Sequence, residues 1–285
     1  KVQTYSKATL RLATTLAIIF SAQSVFAAES NLGTNYDFKL TVGGILASFD
    51  ASVGLNGTTN NGTPVDLSSG NGNKNAGNVF FGAEWRFLNR NRLSGIYFTT
   101  KKKREVTIND TITIGDDTLN PPTTLDAETH NRFLFATYQY SFVKHDDLEI
   151  AGLIGLYANK FSVDLSGTAN VTTGTGGSAT TFTKDVAYNP STTVPIPLIG
   201  ASVGWYVPPQ VDLRASLSGL KAKIGDVDGS VWVFTTGGEY MFTKNFGAGL
   251  SYMHTRVNVD VTKKTFNGSI DWTNNNFLLY AIAKF

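Results

Sequence analysis

The sequence predicts an all-β protein, an antiparallel transmembrane β-barrel of about ten strands. A barrel of roughly 8 or 12 strands is the alternative. Three observations predict this fold. The composition suits strands and turns, because aromatic residues make up 12%, charged residues only 16%, and 28 of the 285 residues are glycine. Short polar connections alternate with longer loops rich in Gly, Asn, Thr and Asp. Within the stretches between them, apolar and polar residues alternate as they do in strands.

The N-terminal segment 1–27 is predicted to be a cleavable secretory signal peptide, with the barrel formed by residues 28–285. A positively charged start is followed by the apolar run Leu12–Ala22 and by a small-residue pattern that ends at Ala27. The apolar run is shorter than the about 20 residues that a membrane helix needs, which disfavours the alternative of a retained anchor. We therefore expect cleavage after Ala27.

The connections divide the barrel region into strands. Tight turns on one side and longer loops on the other are typical of outer-membrane barrels. An even number of strands places both ends of the barrel on the periplasmic side, with the tight turns. The tight polar turns are 89–91, 143–147, 208–210 and 243–245. The predicted strands are 36–54, 77–88, 92–106, 124–142, 148–166, 191–207, 211–223, 228–242, 246–261 and 267–285.

Alternation within the strands predicts which side chains face lipid. Leu213 lies on the apolar face of its strand, for example, and Arg214 on the polar face. The apolar face is rich in aromatic residues close to the tight turns, as at a membrane interface. We therefore expect the apolar face to contact lipid and the polar face to line the lumen. The aromatic residues near the tight turns are Trp85, Phe87, Tyr140, Phe142, Trp205, Tyr240, Phe242 and Phe285.

The polar face predicts a charge network at the periplasmic end of the lumen. Acids and bases in a narrow interior pair with one another, because an isolated buried charge is costly. Two roles remain open for the network: a structural plug, which the mixed charges favour, or the charge-selective constriction of a channel. The predicted lumen charges are Lys39, Glu84, Arg86, Glu149, Asp212, Arg214, Glu239 and Lys284.

A run of bases falls at the predicted outer rim. Lys101, Lys102, Lys103 and Arg104 are consecutive in the sequence. Two interpretations remain open for this basic cluster: a solvated strand end, or contact with the phosphates of lipopolysaccharide.

Motifs for catalysis or cofactor binding are weak. The absence of cysteine excludes disulfides, thiolate metal sites and a cysteine nucleophile. His130 and His254 lie towards the outer ends of their strands, where an outer-membrane enzyme would place a histidine, but no nucleophile is identifiable beside them. We therefore predict a protein without enzymatic activity, metal or cofactor. The net charge of +2 gives no support for nucleic-acid binding.

Several stretches of the sequence resemble known outer-membrane barrels. The closing strand 277–285 is similar to the terminal strand of Gram-negative outer-membrane proteins, which ends on a Phe recognised by the barrel assembly machinery. Phe285 occupies that position. Further stretches resemble an uncharacterised family of small outer-membrane barrels, which implies the fold and the location but no catalytic or ligand residues. They are 87–93, 138–142, 195–200 and 238–242.

Together these observations predict a non-enzymatic protein of the bacterial outer membrane. Its role is either structural or porin-like, as a narrow channel for small solutes. The alternatives are an outer-membrane enzyme acting on lipid or peptide at the outer leaflet and an adhesin that binds through its extracellular loops. The expected partners are outer-membrane lipid, lipopolysaccharide and the barrel assembly machinery, and the oligomeric state is left open.

Overall fold

The computed structural model describes most of the predicted barrel. The chain divides into two units, Lys1–Ser30 and Asn31–Phe285. The predicted signal peptide 1–27 lies outside the described residues. The described residues, which all belong to the second unit, are 36–57, 61–66, 71–72, 78–108, 110–114, 117–173, 180–207, 210–263 and 266–285.

The described residues form one antiparallel β-sheet of fourteen strands. The strands are β1 (Phe38–Leu55), β2 (Val65–Asp66), β3 (Asn71–Gly72), β4 (Asn78–Phe87), β5 (Asn91–Ile108), β6 (Ile112–Ile114), β7 (Asp117–Lys144), β8 (Leu148–Thr173), β9 (Thr180–Tyr188), β10 (Ser191–Val207), β11 (Val211–Ile224), β12 (Val227–Met241), β13 (Phe246–Lys263) and β14 (Phe266–Lys284).

Ten of these strands form a closed wall, which confirms the predicted barrel. The first strand, β1, pairs with β4 on one side and with the last strand, β14, on the other. The remaining pairings run through β5, β7, β8, β10, β11, β12 and β13 without a break in order. The short strands β2, β3, β6 and β9 add to the outer ends of β1, β5, β7 and β8.

The wall reaches well beyond a bilayer on the side opposite the chain ends. β7 has 28 residues and β8 has 26, whereas a tilted strand needs about 9–11 residues to cross. Both strands extend farther than the predicted strands 124–142 and 148–166. β7 begins at Asp117, and β8 ends at Thr173. One outer connection is also shorter than expected, because β11 and β12 are joined by Gly225 and Asp226 alone. Gly225 has a φ of 59°, which favours glycine at that turn.

The two prolines of β10 lie where the wall is incomplete. β10 pairs with β8 up to Ser191, but its pairing with β11 ends at Ile199. The amide of Tyr206 donates towards the β8 side, so by alternation the amides of odd-numbered residues face β11. Pro195 and Pro197 therefore lack donors only on the side where β10 has no partner.

In the periplasmic half of the barrel, the outward face is apolar. Leu46, Leu250 and Leu279 are each more than half exposed on this face. All eight aromatic residues predicted near the tight turns point outward. Seven of them are exposed, and Phe87 is partly buried. Among the described residues, no helix is long and apolar enough to cross a membrane. An exposed apolar belt with aromatic residues at its edge is the surface that lipid requires.

In the extracellular half, the polarity of the wall is reversed. On β14, Phe277 and Leu279 point outward, whereas Ile270 and Trp272 are buried inside the barrel. Their outward neighbours there are polar residues such as Asp271. The expectation that apolar residues face outward is therefore wrong for the outer half. Once the wall leaves the bilayer, water surrounds it. Apolar residues therefore occupy the inward positions there, as in a soluble protein.

Candidate functional site

The periplasmic half of the lumen is crossed by charged side chains. Arg86 on β4 donates to both carboxylate oxygens of Glu149 on β8, at 3.2 and 2.8 Å. Arg86 is 6% exposed and Glu149 is 2% exposed. Since two strands of the wall separate β4 from β8, this bidentate pair spans part of the lumen. Two parallel hydrogen bonds between charged groups give the pair strength and a fixed geometry.

A second group of charges lies on β1, β12 and β14. The Lys39 Nζ atom on β1 is 3.0 Å from Oε1 of Glu239 on β12. The Lys284 Nζ atom on β14 is 3.5 Å from the other carboxylate oxygen of Glu239. One carboxylate therefore holds two lysines, and all three side chains are buried.

Glu84 and Tyr206 join these groups into one network. Glu84 lies 3.6 Å from the Lys39 Nζ atom and 3.8 Å from the Arg86 Nε atom. The Tyr206 hydroxyl is 3.1 Å from Arg86 Nη2 and 2.7 Å from Nη2 of Arg214. Arg214 in turn donates to Asp212 at 2.8–3.0 Å. The structure thus brings all eight predicted lumen charges together in one connected cluster.

Three members of this network were not predicted from the sequence. Arg92 lies 3.5 Å from Glu149 and 3.8 Å from Glu84. Tyr36 precedes β1, hydrogen-bonds Glu84, and places its ring 4.9 Å from Lys284 Nζ and 5.1 Å from Arg86 Cζ. Tyr206 lies between two outward residues of β10. Its position and that of Arg92 follow from strict alternation. Tyr36 begins the predicted strand 36–54 with the outward parity of Phe38, but it lies before β1 in the structure and is buried.

A second layer of side chains fills the lumen above the charges. Trp272 on β14 packs against Phe161 and Phe133, with ring centroids 5.7 and 6.2 Å apart. Phe133 also stacks on Phe98, with centroids 4.5 Å apart, and meets the edge of Tyr157 at 6.2 Å. Three strands of the wall lie between β14 and β7 on the shorter path. Rings from well-separated parts of the wall therefore meet inside the barrel, and we call this group the aromatic layer.

A small cavity lies within the aromatic layer. Its volume is about 10 Å³, about the minimum that holds one water molecule. Phe98, Phe133, Tyr157 and Asn274 are among the residues that line it. The cavity is far too small to hold a hydrated solute.

The predicted basic cluster at the outer rim does not form one surface. Strand alternation sends Lys101 and Lys103 outward, where both form ion pairs with Glu128. Lys102 points inward and is buried. The side chain of Arg104 lies outside the described residues. Four consecutive bases in a strand cannot share one face, because successive side chains alternate.

The two histidines singled out in the sequence both face outward. His130 Nε2 is 2.7 Å from Glu128 and 3.8 Å from Asp164. His254 Nδ1 is 2.8 Å from the side-chain oxygen of Asn275. In the part of the chain that the structure describes, neither histidine hydrogen-bonds a hydroxyl group, and no group of three or more His, Asp or Glu side chains is arranged to hold a metal ion.

The closed ten-stranded wall, its outward apolar belt and its charged lumen define an integral outer-membrane β-barrel. The chain belongs in the bacterial outer membrane, as the sequence predicts. A comparison with protein families finds no matching family model. A comparison with curated proteins also finds no match.

Among solved structures, the barrel is similar to the outer-membrane protease OmpT from Escherichia coli. The two chains are 10% identical, the match covers 93% of this chain and 99% of that chain, and the TM-score is 0.54. OprG from Pseudomonas aeruginosa matches with 9% identity over 90% of this chain and 99% of that chain, with a TM-score of 0.36. At these identities the similarity to OmpT establishes the fold alone.

Proposed function

We propose that this protein is a closed, non-conducting outer-membrane barrel that anchors an extracellular β-structure in the membrane. The observation that supports the proposal is that two layers of side chains cross the lumen. The charge network crosses the periplasmic half, and the aromatic layer crosses the region above it. A solute would have to displace both layers, and each is held by contacts between strands that are not neighbours in the wall.

The pairing of the charges supports a plug over a charge-selective constriction. The network contains five bases and four acids, nearly balanced, and each acid contacts a base. A selectivity filter needs side chains that present charge to passing ions. Here the charges are directed at one another and most are buried. The bases are Lys39, Arg86, Arg92, Arg214 and Lys284, and the acids are Glu84, Glu149, Asp212 and Glu239.

A second candidate function is adhesion, which the long extracellular wall favours. β7 and β8 pair with each other from Lys144 to Thr118, far past the residues that face lipid. β9 widens this hairpin by pairing with the outer end of β8. A rigid, polar structure held above the membrane provides a surface for contact with molecules outside the cell. An enzymatic role gains no support from the described environment of His130 or His254.

Single-channel recording in planar bilayers tests the closed barrel. The refolded wild-type protein should give no steady conductance. Arg86→Ala/Arg214→Ala should lower stability by about 3–5 kcal/mol, because buried acids lose their partners. This variant should still not conduct, because the aromatic layer remains. Adding Phe133→Ala and Trp272→Ala should open a path.

The wild-type recording decides the proposal even if the variants fail to fold. Folding of each variant is checked by its heat-dependent gel mobility before recording. A steady wild-type conductance comparable to that of a general porin would overturn the closed barrel. It would assign the charges to a selectivity ring instead.

A further inference from the structure

Outward-facing charges are sorted by their distance from the lipid-facing belt. On β7, the first charged residue beyond the apolar surface is Arg132, and Glu128 follows four residues farther out. On β13, Arg256 is likewise followed by Asp260. β8 and β11 continue the pattern, with Lys160 before Asp164, and Lys221 and then Lys223 before the turn residue Asp226. We call Arg132, Lys160, Lys221 and Arg256 the basic belt.

The spacing separates the basic belt from the acids electrically. Four residues of strand span about 13 Å, at about 3.3 Å per residue. The Debye length at physiological ionic strength is about 8 Å. The acids farther out on the same strands therefore do little to neutralise the belt. The other cross-strand partners of Arg132 and Lys160 are the uncharged residues Thr99 and Thr193. Lys101 and Lys103 are different, because both pair with Glu128 and so do not add to the belt.

Two members of the basic belt are direct neighbours. Arg132 on β7 is the cross-strand partner of Lys160 on β8, and both side chains are exposed. Among the described residues, neither forms an ion pair. Like charges directly opposite each other destabilise a sheet. An anion bound between them removes that repulsion, and a phosphate group offers oxygens to both.

Aromatic residues place the basic belt at the membrane surface. Trp232 points outward, is 55% exposed, and is the cross-strand partner of Arg256. Tryptophan concentrates at the boundary between lipid tails and headgroups. On β7, the last apolar residue that points outward before the belt is Leu134, two residues from Arg132 on the periplasmic side. The belt therefore lies at the depth of the headgroups of the outer leaflet.

We propose that the basic belt binds the phosphate groups of anionic lipid in the outer leaflet. This interaction is independent of whether the lumen is closed. The Arg132–Lys160 pair forms its centre, since it is the place where two uncompensated positive charges share one face. Lys221 and Arg256 extend the belt along the neighbouring part of the wall.

Lipid retention measured by native mass spectrometry tests the proposal. The full barrel is placed in nanodiscs of phosphatidylcholine that contain either diphosphorylated lipid A or its dephosphorylated form. Wild-type protein released from the nanodiscs should retain the phosphorylated lipid preferentially. Arg132→Gln/Lys160→Gln should retain it about tenfold less, which corresponds to the loss of about one charge-assisted hydrogen bond.

Lys144→Gln/Lys244→Gln is the matched control. It also removes two positive charges, both at periplasmic turns and far from the belt, and it should retain lipid like the wild type. Equal retention of the phosphorylated and dephosphorylated lipids would overturn the proposal, as would a belt variant that retains lipid like the control. Stabilisation by inorganic phosphate alone, equal to that by the phosphorylated lipid, would also overturn it in favour of a free-phosphate site.

Discussion

The two halves of this barrel have the same strand alternation but differ in the polarity of the residues that point outward. In the periplasmic half, Leu279 faces outward and Lys284 faces the lumen. In the extracellular half of the same strand, Asp271 faces outward and Trp272 faces the lumen. The wall is continuous, and only the solvent outside it changes. Strand alternation fixes which positions point outward, and the surrounding medium decides whether apolar or polar residues occupy them.

The largest expected effect tests the interior of the extracellular half. Trp272 is 1% exposed and packs against two other rings, so Trp272→Ala should lower the free energy of unfolding by about 3–5 kcal/mol. Trp205→Ala is the matched control, because Trp205 is 55% exposed on the lipid-facing side. Urea unfolding in lipid vesicles measures both. Equal costs for the two variants would mean that the aromatic layer is not a packed core.

A smaller effect tests the outward face on a single strand. Leu250 and Asn258 both point outward from β13, one towards lipid and the other towards water. Leu250→Arg should cost about 2–4 kcal/mol if it lies near the bilayer midplane. Asn258→Arg should change stability by no more than about 0.5 kcal/mol, as surface substitutions usually do. Similar costs in vesicle unfolding titrations would contradict a boundary between these two positions.

The smallest effect is a pH dependence in the extracellular half. Hydrogen bonds from Lys101 and then Lys103 lower the pKa of Glu128 from 4.5 to about 2. A lowered pKa stabilises the fold above the ordinary value, and the contribution is lost as pH falls towards 2. The melting-temperature difference between wild type and Glu128→Gln should therefore be constant down to about pH 5 and disappear near pH 2.

The double variant Lys101→Gln/Lys103→Gln provides the control for that measurement. In its background, the substitution Glu128→Gln should have little effect at any pH, because the partners of the carboxylate are gone. A Glu128 pKa near 4.5, measured by NMR titration in the wild type, would show that these ion pairs do not persist in solution.

The sequence predicted the strands and the lower lumen well, because lipid and tight turns leave strong periodic signals. The ten strands, the outward aromatic residues and the inward direction of charges such as Glu84 and Asp212 all follow from alternation. The partners of each charge depend on strand register and on the curvature of the wall. No local pattern contains that information, so the pair between Arg86 and Glu149 was not predictable.

The reversal of polarity was present in the sequence but was not recognised. On β7, the apolar residues occupy even positions from Leu134 towards the turn and odd positions from Phe133 outward. This change of parity was missed because a single orientation was applied to the whole strand. The division of the basic cluster at Lys102 follows from the same alternation.

The gap between β10 and β11 has a consequence for encounters with other protein chains. Beyond Ile199, towards Ser191, β10 has an edge that does not pair with β11, and an open edge is a template for strand addition. Pro195 and Pro197 remove the amide donors on that side, so an incoming strand would find no regular ladder to join. The two prolines thus protect the protein against edge-to-edge aggregation along this edge of β10.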